Sequence, residues 1–281
     1  ISFAGKRVGI IGTGATGIQV IQEVAKTCGS LHVFQRTPNW CAPLNNSRIS
    51  TEEMRGIRAR YGEILARCRE TPGCYVHSTD PRSTLNTTPE ERTAFWEKRY
   101  ASPGFGFWQG NFQDMLTDRA ANALASEFIA NKIRSRVHDP VVAEKLIPKD
   151  HGVGMRRQPL ETGYYEVYNQ PNVELVDVRE TPIERVTAAG IQTSAKAHDF
   201  DIIIYATGFD AITGTFDRMD IRGVNGLRLK EVWANGPQTY LGVFVQGFPN
   251  LLMAMGPHAG LGNYTRCAEY SVEWVTGVIQ Y

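Results

Sequence analysis

The stretch Arg7-Val8-Gly9-Ile10-Ile11-Gly12-Thr13-Gly14-Ala15-Thr16-Gly17-Ile18-Gln19 decides the fold. An apolar run leads into GxGxxG and then into residues spaced for a helix, the order of a dinucleotide-binding turn. In such a turn the first glycine permits the bend, the second lets a pyrophosphate approach the backbone, and the third lets the helix pack on its strand. The phosphates then sit at the helix N-terminus, where unsatisfied N–H groups favour anions. A bare GxGxxG is weak evidence, but the context here fits. Val8, Ile10 and Ile11 predict a buried strand, and Ile18, Ile21 and Ala25 share one helical face before Gly29 stops it. Gly12, Thr13, Gly14, Ala15, Thr16 and Gly17 are therefore candidate cofactor residues.

A second strand is predicted over Leu31 to Phe34. Where an NAD enzyme places Asp or Glu to hold the ribose 2'-hydroxyl, this chain has Gln35, Arg36 and Thr37. A carboxylate repels a 2'-phosphate, whereas a guanidinium and a hydroxyl bind it, so the expected nucleotide is NADP.

With 281 residues the chain is long enough for one large or two ordinary domains. Lys and Arg total 30 against 29 Asp and Glu, so no net field recruits nucleic acid or a membrane. The five cysteines show no CxxC or His-paired spacing, which points to a reduced, cytoplasmic setting. No apolar stretch reaches the roughly 18 residues of a membrane span. Ile1 lies only a few residues before a core strand and there is no initiator Met, so the chain reads as a fragment.

After Pro38 the pattern changes to helix after helix. Ser50-Thr51-Glu52-Glu53 is a capping box predicting a helix to about Arg69, and Thr88-Pro89-Glu90-Glu91 is another. Ala121, Leu124, Ala125, Phe128, Ile129 and Ile133 recur at helical spacing, and Asp139-Pro140 opens one more short helix. Pro103 to Gly110 is expected to be a packed loop. Sheet signals resume at Val173 to Val176, followed by a hairpin around Ala189-Gly190. Asp201 to Tyr205 has the apolar character of a parallel strand and ends in Ala206-Thr207-Gly208-Phe209-Asp210. That turn reads equally as a close approach to a ligand or as an ordinary strand exit. A last strand, Leu251 to Met255, is expected to run through the glycine loop Gly256 to Asn263 into a helix from Thr265 to Ile279.

Several stretches resemble the Baeyer-Villiger monooxygenases, most of all the phenylacetone, cyclohexanone and steroid monooxygenase branch. They are GKRVGIIGTGATGIQ from Gly5 to Gln19, FQRTPN from Phe34 to Asn39, RRQPLETGYYEVYNQPNVELVD from Arg156 to Asp177, and YATGFDAITG from Tyr205 to Gly214. The resemblance implies an enzyme that uses NADPH to reduce a bound FAD, forms a flavin peroxide with dioxygen, and converts a small-molecule ketone to an ester or lactone. The family carries two dinucleotide motifs and a fingerprint FxGxxxHxxxW. Only the NADP motif is in this sequence, so the rest of the FAD domain and a C-terminal lobe are expected to lie in other segments of the same enzyme, and this chain alone to be inactive.

Carried onto these residues, the resemblance matches Thr13, Gly14, Ala15, Thr16, Gly17, Ile18 and Gln19 to the pyrophosphate loop, and Arg36 and Thr37 to the 2'-phosphate clamp. Arg156 stands where relatives often have Lys, as a second cation for that phosphate. Arg157 matches the arginine that stabilises the anionic flavin peroxide, a catalytic role suited to a fixed cation. Asn263 and Tyr264 match a loop beside the flavin ring. The expected fold class is α/β: a Rossmann-like NADP-binding domain over residues 1–44 and 153–200, an all-helical insertion over 45–152, and part of a second, FAD-binding domain over 201–281.

Two other functions fit the same features. One is a flavin enzyme that oxygenates nitrogen or sulfur, against which the RRQPL and YATGFD stretches argue. The other is a stand-alone NADP-binding module. His258 reads as a hydrogen-bonding loop residue, and His32, His77, His138, His151 and His198 show no spacing for metal or triad chemistry, so no metal is expected. No GxSxG or Walker sequence and no nucleic-acid or membrane signature is present.

Overall fold

A computed structural model of the chain describes residues 1–260 and 262–281. Leu261, inside the predicted glycine loop, lies outside them. The backbone divides into two units, one of Ile1–Ser47 and Thr79–Gly208, the other of Arg48–Ser78 and Phe209–Tyr281.

In the first unit strand β1 (Arg7–Ile11), helix α1 (Ala15–Val24) and strand β2 (Ser30–Gln35) follow one another as the hydrophobic pattern predicts. They belong to a four-stranded parallel sheet in the order Val173–Asp177, β2, β1, Ile202–Tyr205. The chain thus adds strands on one side of β1 and then crosses to the other. In an α/β sheet the crevice at that crossing, beyond the carboxyl ends of the strands, is where ligands bind.

Alternation along the strands assigns each residue to a face. Val8, Ile10, Leu31 and Val33 pack with Ile18, Ile21 and Val24 of α1 and with helical residues such as Trp96, Ile129 and Leu146. The opposite face carries a three-stranded antiparallel sheet of Ile183–Val186, Gly190–Thr193 and Ala197–Asp199. Phe34, Val176, Ile191 and Phe200 form its smaller core. A Cβ on Gly9 would lie 2.7 Å from the Phe200 ring, so this glycine makes room for an aromatic side chain.

Side chains cap the helix starts, those at Thr88 and Asp139 as predicted. Thr88 and Glu91 form a complete capping box on Pro89–Ala101, Asp118 caps Arg119–Arg136, and Asp139 caps Pro140–Leu146. The helix opened by Ser50 does not run unbroken to Arg69. It stops at Ala59, Arg60 takes φ −111° and ψ 15°, and a new helix spans Tyr61–Glu70. Gly56 and Gly62, poor helix formers, flank the break. The expected loop from Pro103 to Gly110 contains a short helix, Gly106–Gln109, that buries Phe107.

Three expectations of organisation change. Ile202–Tyr205, read as the opening of a second nucleotide domain at residue 201, pairs in register with β1 and completes the first unit's sheet. The helical insertion is shared, because Arg48–Ser78 groups with Phe209–Tyr281 while the rest stays with the first unit. Leu251 to Met255 is not a strand. No described strand of its unit offers it a partner, and its backbone turns, with Leu251 N donating to Phe248 O and Met253 N to Val243 O. Met253 is buried with Leu229, Trp233, Val245 and Phe248 in the second unit's core. The final helix, Tyr264–Gln280, forms as predicted.

Candidate functional site

Each glycine of the turn does a different job. Gly12 has φ +108°, and a Cβ there would lie 2.4 Å from Ala206 O. It therefore permits both the bend and the close approach of the neighbouring strand. A Cβ on Gly17 would lie 2.2 Å from Gly12 O, so the third glycine seats α1 against the turn. Gly14 has an ordinary φ of −77°, and nothing lies within 4 Å of a Cβ built on it. Its bare backbone faces open space at the N-terminus of α1. Gly14 is the N-cap and offers no side-chain cap, and the first intrahelical bond is Ile18 N to Gly14 O. The N–H groups of the first turn are thus left without intrahelical acceptors, as an anion site requires.

The open space is a cavity of about 380 Å³ at the carboxyl ends of β1 and β2. Gly12, Thr13 and Gly14 form one wall, Arg36, Thr37 and Arg156 another, and Ala206, Thr207 and Gly208 a third. The turn after Tyr205 therefore approaches the glycine loop and shares its cavity. Thr13 is buried and its hydroxyl donates to Thr37 O at 2.9 Å, tying the first turn to the end of β2.

Arg36 is exposed and has no carboxylate partner among the described residues. Arg156 is exposed too, but its Nη2 lies 3.2 Å from Asp150 Oδ2, which anchors it at the cavity edge. The bond from His151, with Arg156 beside it, holds the Asp150 carboxyl below the usual carboxylate range. Gln35 takes no part. It is 1% exposed and donates to Lys145 O at 2.8 Å, because alternation along β2 turns it away from the cavity that Arg36 faces.

Arg179, which sequence reading missed, stands beside these candidates. Its Nη2 donates to Thr37 Oγ1 at 3.0 Å, and it lines an adjoining cavity of about 500 Å³ with Arg36, Pro38, Pro140, Val141 and Ile147. No motif marks it. It arrives only because Val173–Asp177 pairs with β2, bringing the turn after Asp177 alongside Thr37.

The remaining candidates are placed as follows. Ala15, Thr16 and Gln19 lie on the accessible start of α1, whereas Ile18 is wholly buried in the core and contributes no side chain to the cavity. Arg157 is exposed, without an ion-pair partner among the described residues, and does not line the cavity that Arg156 lines. Asn263 and Tyr264 belong to the second unit, at the N-terminus of its long helix, where Asn263 N donates to Gly73 O at 2.8 Å. His258 is exposed and its Nδ1 lies 2.9 Å from Thr239 Oγ1, the loop hydrogen bond expected of it.

No family model matches the chain. The 2-oxo-Δ3-4,5,5-trimethylcyclopentenylacetyl-CoA monooxygenase of Pseudomonas putida is 52% identical over 283 residues, which take in 100% of this chain and 52% of the relative. Cyclopentanone 1,2-monooxygenase of a Comamonas species is 41% identical over 285 residues, again 100% of this chain and 52% of the relative. The crystal structure of OTEMO in complex with FAD and NADP (form 3) superposes with a TM-score of 0.97 at 52% identity, covering 99% of this chain and 53% of that one. The chain thus spans about half the length of the curated relatives it matches. No described helix is long and apolar enough to cross a membrane. With its glycine turn, its basic β2 end and this likeness along its whole length, the chain belongs to the Baeyer-Villiger monooxygenase family.

Proposed function

We propose that the chain is the NADPH-binding portion, with part of the FAD-binding region, of a flavin monooxygenase that converts a small-molecule ketone to an ester or lactone. The observation that carries this reading is the open space over Gly14, bounded by Arg36, which has no carboxylate partner among the described residues, and by Arg156 held at its rim. A pyrophosphate fits the bare Gly14 backbone and the first-turn N–H groups. Arg36, Thr37, Arg156 and Arg179 surround the position a 2'-phosphate takes beyond the end of β2, and the apolar wall of Pro38, Pro140, Val141 and Ile147 suits an adenine ring. Charge-assisted bonds to guanidinium groups discriminate NADPH from NADH.

FAD supplies the electron transfer and oxygen activation when bound. In this reading Arg157 holds a positive charge where negative charge develops during oxygen transfer. Asn263 and Tyr264 border the flavin. In the same reading the second unit contributes to the FAD domain, completed by segments of the same protein that this chain does not span. Cysteines without CxxC or His-paired spacing suit a reduced, cytoplasmic setting.

The test is turnover by the intact protein supplied with NADPH, dioxygen and a panel of cyclic and linear ketones, with ester or lactone identified by mass spectrometry. N-oxide or sulfoxide formation without ester would replace the reading with the nitrogen- or sulfur-oxygenating one. Tight NADPH binding with neither flavin nor turnover would leave a nucleotide-binding module.

A further inference from the structure

Away from the nucleotide cavity, three side chains from three strands converge between the parallel sheet and the antiparallel one. His32 in β2 and Glu174 in Val173–Asp177 are register partners, so their side chains leave the sheet on the same face. His198, in Ala197–Asp199, meets them from the other layer. His32 Nδ1 lies 3.0 Å from His198 Nδ1 and 3.7 Å from Glu174 Oε2, and the three donor atoms all fall within 4.8 Å of one another.

We propose that His32, His198 and Glu174 form a binding site for a borderline divalent transition ion such as Zn²⁺. Two imidazole nitrogens and one carboxylate oxygen are the donor set such ions prefer, and a single oxygen is too few for Ca²⁺ or Mg²⁺. Two donor nitrogens 3.0 Å apart are spaced as neighbouring ligands of one ion at bond lengths of about 2.0–2.1 Å.

The rings are held in place by packing. His198 meets Phe34 edge-on at 5.2 Å and lies flat against Phe200 at 6.2 Å, and His32 meets Phe200 edge-on at 5.3 Å. Lys196 is a neighbouring cation. Its Nζ is 2.9 Å from Glu174 Oε1 and 3.4 Å from Oε2, so it orients the carboxylate and also competes with an ion for it. The half-exposed Glu174 side gives solvent and the ion their path in. An ion there would clip the antiparallel sheet to the central one, a stabilising link independent of the nucleotide site.

The test is isothermal titration of the metal-stripped protein with ZnCl₂, paired with thermal unfolding and the absorption spectrum of the Co²⁺ form. One ion per chain, a raised unfolding temperature, no response to MgCl₂ and no thiolate charge-transfer band are expected. Glu174→Gln, exposed enough to fold normally, should weaken Zn²⁺ binding by more than about tenfold, the lower end of the loss from outer-shell changes alone. Lys196→Met should tighten it by removing the competing charge, which a purely structural cluster would not show. Binding that is absent, unchanged in Glu174→Gln, or accompanied by a thiolate band would overturn the proposal.

Discussion

Gly14 separates the folding role of the turn from its binding role. Its backbone is ordinary and nothing lies near a Cβ placed on it, so Gly14→Ala is expected to fold with an unchanged unfolding midpoint. The methyl group stands where the pyrophosphate would lie, and NADPH affinity should fall by about tenfold or more. Calorimetric titration beside a urea melt checks both halves. Arg36→Ala should likewise weaken NADPH by about tenfold or more and leave NADH nearly unchanged, since a charge-assisted hydrogen bond contributes roughly 1.5–3 kcal/mol. Equal losses for the two nucleotides would show that Arg36 is no phosphate ligand. Arg157→Ala bears on oxygen transfer instead. Losing one preorganised donor costs about 2.7–4 kcal/mol, so ester formation by the intact enzyme should drop a hundred- to a thousandfold. NADPH consumption should continue, its electrons appearing as hydrogen peroxide, and parallel assays of the two products decide the matter.

Between elements, the clearest dependence is ionic. Arg136, at the end of Arg119–Arg136, donates to both oxygens of Glu161 at 2.8 and 3.1 Å and to both oxygens of Glu166 at 2.5 and 2.7 Å. The Glu161 side chain is fully buried, and besides Arg136 it accepts a bond from Tyr164 N. Arg136→Leu would strand that carboxylate away from water, and breaking such a pair costs about 3–5 kcal/mol. Chemical denaturation should show a loss of that size, and adding Glu161→Leu should recover part of it because the orphaned charge is then gone. Capping chemistry needed no such tertiary help. Ser50, Thr88 and Asp139 each accept from a first-turn N–H, so three helix starts were legible from local residues, and Asp118 does the same for Arg119–Arg136, whose start the helical spacing alone did not fix. Strands were less so. Ile202–Tyr205 reads as a parallel strand by its composition, but only pairing assigns it to β1 rather than to a second domain.

For the molecule as a whole, the sequence holds one GxGxxG turn within a chain that spans about half its relatives' length. The purified chain supplied with FAD, NADPH and a ketone is therefore expected to bind NADPH and form no ester. Chromatography of the reaction mixture tests this, and ester at the rate of the intact enzyme would mean that this half suffices.

The sequence by itself determined the first βαβ unit, the division of labour among Gly12, Gly14 and Gly17, and the basic end of β2. These rest on local sterics, hydrophobic period and the charge of adjacent residues, all within about thirty positions. Tertiary structure decided what depends on pairing between distant strands. It turned Gln35 into the core and brought Arg179 to Thr37 across 142 positions. It placed His198 against His32 across 166. Such meetings leave no trace in spacing, because a sheet's register is set by which strands bury their faces together, and a strand read alone does not name its neighbour.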